Sequence, residues 1–292
     1  MQRKQFIKST LLTLGAMSNL QTLYAQQQQW PLTPLMPVLF LGHGSPMNAI
    51  EENEFVTGFR QQAMLLPTPV AILCISAHWY TDGTFVTAME QPRTIHDFGG
   101  FPPQLYQVQY PAKGSVTLAI ETKKLAEPIK VGLDESWGLD HGAWSVIKHL
   151  YPKANIPVVQ LSIDYTKPAS YHYDLATQLK QLRQHGVLII SSGNIIHNLA
   201  MADFANLNKK YGYDWAIEAH QALNKHLQNG NYDVLIDYKK QNKAWQLAIP
   251  TPDHYLPLIY ALALQDKKDQ MLLFNDTLLA GSLSMTSVKL FQ

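Results

Sequence analysis

The chain has 292 residues, 46% apolar and only 15% charged, enough to bury a sizeable core in one large domain. A net charge of +1, with no Lys/Arg cluster in the body, argues against nucleic acid or an anionic membrane surface as the main partner. Cys74 is the single cysteine, so an intrachain disulfide and a cysteine-built zinc ribbon are excluded; its apolar setting marks it as a small buried hydrophobe.

Residues 1–25 have the pattern of an export signal. A basic start, Arg3-Lys4-Gln-Phe6-Ile7-Lys8, precedes a short apolar centre, and Tyr24-Ala25 leads into four glutamines. The centre is too short and interrupted to span a membrane. The basic run resembles a twin-arginine signal with Lys4 in place of the second Arg, which predicts an exported, periplasmic protein cut after Ala25. The alternative is a tail on a cytoplasmic protein. Residues 26–34 are then a linker and 35–292 one domain.

From Trp30 onward strands and helices alternate. Strands are expected at Val38–Leu41, Val70–Ser76, Phe85–Ala88, Val158–Ile163 and Val187–Ser191. Helices are expected at Ser115–Ala126, at Tyr171–His185 (ending on Gly186) and at Trp215–Leu227. This alternation predicts an α/β fold: one domain with a central mixed sheet covered by helices on both faces.

The chemistry recurs where strands end. Val38–Leu41 stops at Gly42-His43-Gly44, Val70–Ser76 runs into Ala77-His78, and Val187–Ser191 runs into Ser192-Gly193-Asn194 with His197 close behind. Open α/β sheets place ligands at the carboxyl ends of their strands, so the three imidazoles are expected at one edge of one sheet. His254 in Thr251-Pro-Asp-His254 is expected in the first turn of a helix capped by Thr251, its ring kept neutral by the helix dipole. His141 sits between Trp137 and Trp144 with glycines on either side, a setting for an acid/base facing an aromatic substrate or for a packed loop anchor. His96 marks a possible active-site loop. His149, His172, His185, His220 and His226 are expected on helix surfaces. Ser45 lacks the G-x-S-x-G pattern of a nucleophile elbow.

The strings FLGHGSPMN, SAHWYT, TIHDFGGFP, WGLDHGAW, SSGNIIHN and PTPDHYLPL, in that order, resemble the 4,5-DOPA extradiol dioxygenases of the LigB-type class. The resemblance spans residues 35–290 and implies a catalytic domain with one divalent metal ion, Zn(II) or Fe(II), at the carboxyl-end edge of the sheet. It implies His43, His78 and His254 as metal ligands. His197 is then a fourth ligand or an acid/base, and His141 a second acid/base. The substrates implied are a small aromatic catechol and O2. Asp253 is expected to be a poor ligand, because helix neighbours diverge. An all-histidine site also suits zinc, so zinc-assisted hydrolysis and a non-catalytic metal-binding protein on the same fold stand as alternatives.

Overall fold

A computed structural model describes residues 32–292 of the chain. The expected export signal and most of the linker lie outside the described residues. Among these, ten strands occur: β1 Val38–Gly42, β2 Ala71–Thr81, β3 Thr84–Thr87, β4 Val131–Asp134, β5 Val158–Asp164, β6 Val187–Gly193, β7 Gln270–Phe274, β8 Leu278–Leu279, β9 Leu283–Ser284 and β10 Ser287–Phe291. The helices are α1 Glu54–Ala63, α2 Pro103–Tyr106, α3 Val116–Leu125, α4 His141–Leu150, α5 Ala169–Gln178, α6 Asp214–Gln228, α7 Tyr232–Ile236, α8 Lys243–Ala248 and α9 Leu256–Ala263. No helix among the described residues is long and apolar enough to cross a membrane.

Eight strands form one sheet in the order β4-β3-β5-β2-β6-β1-β10-β7. Its centre, β5-β2-β6-β1, is parallel, and β10 and β7 extend it antiparallel. Strands β1, β5 and β6 are buried at every position because both faces are covered, and their sequences are correspondingly rich in Val, Ile and Leu. Two separate apolar clusters, one containing Phe40, Leu73 and Leu161 and the other Leu39, Cys74 and Leu188, fill the two sides. The expected mixed, doubly covered α/β sheet is borne out.

Several expectations need correction. Strand β2 runs on to Thr81, so His78 lies within it rather than beyond its end. Its regular pairing with β5 stops at Ile75↔Leu161 and resumes at Tyr80↔Ile163, a bulge that turns His78 out of the regular pleat. His254 is not in a helix: residues 251–255 form turns, and α9 begins at Leu256. Pro257 fixes that start, because proline is tolerated only in a helix's first turn. His254 therefore lies just ahead of the N-cap Tyr255 rather than in the helix's first turn. The expected helix Tyr171–His185 divides into α5 and a 3₁₀ segment, Lys180–His185, closed by left-handed Gly186. His149 and His172 are buried, not on helix surfaces: His149 Nε2 lies 2.7 Å from the Asn48 carbonyl, and His172 Nδ1 lies 2.9 Å from the Tyr260 hydroxyl.

Candidate metal centre and active site

Five imidazoles meet at the carboxyl edge of the sheet. His43 follows β1, His78 occupies the bulge of β2, and His197 follows the turn after β6. His141 opens α4, whose N-cap is Asp140, and His254 comes from the turn before α9. Ring centroids of His43, His78 and His254 form a nearly equilateral triangle with sides of 5.1, 5.2 and 5.0 Å. His197 stacks on His254 at 3.6 Å, and His141 lies 3.8 Å from His78. Glycines permit this crowding. A Cβ on Gly142 would lie 2.7 Å from Cδ2 of His78, and one on Gly193 would collide with the His254 carbonyl, which accepts a hydrogen bond from Asn194 N at 2.9 Å.

Hydrogen bonds select the tautomers. Ser192 Oγ donates to the Gly142 carbonyl at 2.5 Å, so at 3.0 Å from His43 Nδ1 it accepts that ring's proton. The lone pair of His43 is therefore on Nε2. Asp97 Oδ2 accepts from His141 Nδ1 at 2.9 Å, and Asp253 Oδ2 accepts from His254 Nδ1. A carboxylate can only accept, so these two rings also leave Nε2 free. This is the pattern of metal-binding histidines, whose second nitrogen is held by a carboxylate, carbonyl or water. Asp253 and His254 converge rather than diverge, because they sit in a turn and not on a helix.

The electrostatics favour neutral rings. Burial, and then repulsion from the neighbouring imidazoles, pushes His43 and His78 well below the ordinary histidine value. Burial followed by the charge of His254 lowers His197 to about 3. For Asp97 and Asp253 burial acts upward but is outweighed by their histidine partners, so both carboxyls fall below their usual range.

This donor set fits a divalent metal. His43 Nε2 and His78 Nε2 are 3.3 Å apart, close to the roughly 3.4 Å spacing of two nitrogens that share one tetrahedral metal at about 2.1 Å. Three such imidazoles would set their ring centroids roughly 5 Å apart, as the His43–His78–His254 triangle does. Among the described residues, proximity of ligand atoms alone forms two groups: His43, His78 and His141, and His197, Asp253 and His254. The rings border a cavity of about 270 Å³ walled by Phe101, Leu199, Phe204, Leu207 and Leu283.

Residues 37–279 match the family model described as the catalytic LigB subunit of aromatic ring-opening dioxygenase. The chain belongs to the LigB family. This LigB-family protein is 45% identical over 259 residues to the 4,5-DOPA dioxygenase extradiol of Escherichia coli K12, covering 87% of this chain and 94% of that one. It is 35% identical over 257 residues to the protein of the same name from Beta vulgaris, with 86% and 94% covered. Its fold matches the crystal structure of an uncharacterized protein from E. coli K12 with a TM-score of 0.76 at 40% identity, over 88% of this chain and all of that one. The chain is an extradiol ring-cleavage dioxygenase, and the family is metal-dependent.

Sequence reasoning missed Asp97, which holds His141, and Asn194, which lines the cavity beside the imidazoles. Asp97 lies inside the motif singled out for His96, and that motif was the available signal. His96 itself faces away: its Nε2 meets the Val108 carbonyl at 2.9 Å and its ring packs on Phe98, Tyr106 and Trp144. Ser45 borders the same cavity, but its Oγ is engaged as the cap of the 3₁₀ turn Pro46–Ala49, accepting from Met47 N at 3.2 Å.

The buried neutral histidines make folding pH-dependent. A histidine held at about 3 (His197) or about 4 (His172) when folded binds its proton near 6.5 when unfolded. Its contribution is complete above about pH 6.5 and is lost as the pH falls toward the folded value. The melting temperature of the metal-free protein should therefore drop steadily from pH 7 to pH 4.5. A flat profile would show that these rings are not buried in the neutral form.

Proposed function

We propose that this dioxygenase opens the ring of a catechol, DOPA or a close relative, with His43, His78 and His254 holding iron(II). His197 completes the set, as a fourth ligand or as a proton carrier, and His141 is the acid/base. The observation that carries the reading is the five-imidazole cluster, with Nε2 free on at least three rings, facing an apolar cavity walled by Phe101 and Phe204.

A redox-active metal, when bound, supplies the Lewis acidity that promotes catechol ionisation and the electronic path by which triplet O2 reacts with the ring. The chain's own groups do the rest. Nε2 of His141 takes the proton of a ring hydroxyl and later returns it. Phe101, Leu199 and Phe204 hold the aromatic ring and exclude water from it. Zinc fits the same neutral imidazoles but has no redox chemistry, so zinc-loaded protein would be inert towards O2.

The test is anaerobic loading with Fe(II) or with Zn(II), followed by L-DOPA and air. Oxygen uptake with a yellow ring-opened product should appear in the iron form alone. No uptake with either metal, across several catechols, would overturn the assignment of iron(II) and of this substrate class. Among the described residues, none that lines the cavity is Lys or Arg, so no fixed cation there pairs with the substrate's carboxylate. L-DOPA, dopamine and 4-methylcatechol should therefore agree in kcat/KM to within about tenfold, the worth of roughly 1.4 kcal/mol.

Residues 1–25 act as an export signal in this reading, supported by their basic start, short apolar centre and Ala25. Protein recovered from the periplasm of a Gram-negative host should begin at Gln26. An intact chain retained in the cytoplasm would decide for the alternative.

A further inference from the structure

We propose that Asp97 is a positioning residue for ring opening: it sets both the tautomer and the direction of the His141 ring. The proposal rests on the acid/base reading of His141 above.

The Asp97 carboxylate grips the first residue of α4 twice. Oδ1 accepts from the His141 amide at 2.8 Å and Oδ2 from the ring Nδ1 at 2.9 Å. Because a carboxylate has no proton to give, Nδ1 must carry the hydrogen, and the lone pair is left on Nε2. Only that tautomer can take a proton from a substrate hydroxyl through Nε2. Phe98 lies edge-on to the same ring at 5.5 Å and restricts its rotation.

Asp140, although adjacent in sequence, does not share the task. Its carboxylate is taken up by Ser76 Oγ at 2.6 Å, Gln160 Nε2 at 2.7 Å and the Ala143 amide at 3.1 Å.

Asp97 is also held independently of His141. The strap before it is tied to the loop ahead of α4 by Ile95 N to Leu139 O (2.7 Å) and Leu139 N to Arg93 O (2.8 Å). Trp144 Nε1 donates to the Ile95 carbonyl at 2.8 Å. The strap then passes through Gly99-Gly100 to Phe101 in the cavity wall. One segment therefore carries the group that orients the base and a ring that meets the substrate. A base pre-oriented by a fixed partner loses no time or free energy in finding its reactive geometry.

Asp97→Asn separates this role from a structural one. The amide oxygen can still accept from the His141 backbone, but the NH2 now faces Nδ1 and drives the ring proton to Nε2. Asp97 Oδ2 also lies 3.4 Å from Nδ1 of His78, a contact longer than its bond to His141, so the comparison is made in fully iron-loaded protein. There kcat for L-DOPA should fall roughly 100- to 10,000-fold with KM little changed and the metal retained. In a His141→Ala background the same change should alter kcat by less than about threefold, since the group it orients is gone. In diamagnetic zinc-loaded protein, the ¹⁵N shifts of His141 should move from the Nδ1–H to the Nε2–H tautomer. Equal losses of kcat in both backgrounds, loss of metal, or an unchanged tautomer would each overturn the proposal. Full turnover by His141→Ala alone would overturn the acid/base reading, and the role of Asp97 in the reaction with it, whatever the tautomer shows.

Discussion

His43→Ala protein is expected to fold, to lose its metal and to open no catechol ring. His43 is 2% exposed at the end of the central strand β1, and its Nδ1 proton is already committed to Ser192. Its free Nε2 faces that of His78 at 3.3 Å, so removing it takes away one side of the proposed site. Loss of a partner that only supports a ligand already weakens metal binding about 10- to 100-fold, and loss of a ligand should exceed that. The fold should survive, because the backbone amide of His43 keeps its bond to the Gly193 carbonyl at 3.1 Å. Metal analysis after dialysis, circular dichroism and oxygen uptake together check this. Full metal occupancy with full turnover would remove His43 from the site. The same measurements on His254→Ala should give the same result if the triangle of rings is the ligand set.

His141→Ala is expected to behave differently: metal retained, substrate bound, turnover reduced roughly 100- to 10,000-fold. That loss corresponds to about 3–5 kcal/mol of transition-state stabilisation. The contrast follows from the geometry. The ring of His141 is committed through Nδ1 to Asp97 and lies 5.9 Å from His43, outside the near-equilateral triangle made by His43, His78 and His254. Its closeness to His78, at 3.8 Å, leaves a competing arrangement in which His141 is itself a ligand. The metal content of the variant decides between them. A protein that loses metal along with activity would make His141 a ligand and leave the proton transfer to His197.

Much of this was legible in the primary structure because parallel strands end abruptly. Apolar runs closed by Gly42-His43, Ser76-Ala-His78 and Ser192-Gly-Asn194 mark three imidazoles for one sheet edge. The burial of His172 was missed, although the pattern around it carries the signal. Leu175, Ala176 and Leu179 follow it at three, four and seven residues, so it lies on the apolar face of its helix. Strands β7 and β10 were missed although both are largely apolar runs. An antiparallel extension depends on a distant partner, and Gly42 N reaches Ser287 Oγ across 245 residues.

By itself, then, the sequence determined the α/β class, the helix and strand alternation and most of the histidines worth watching. Those properties follow from hydrophobic period and turn chemistry, which act over a few residues. Only the tertiary structure decided which carboxylate serves which ring. Asp140 is the neighbour of His141, yet Asp97, 44 residues away, holds it. Asp253 turns toward His254 because Pro257 delays the helix that would have parted them. A tautomer is set by the atom across the hydrogen bond, and that atom is supplied by folding rather than by adjacency in the chain.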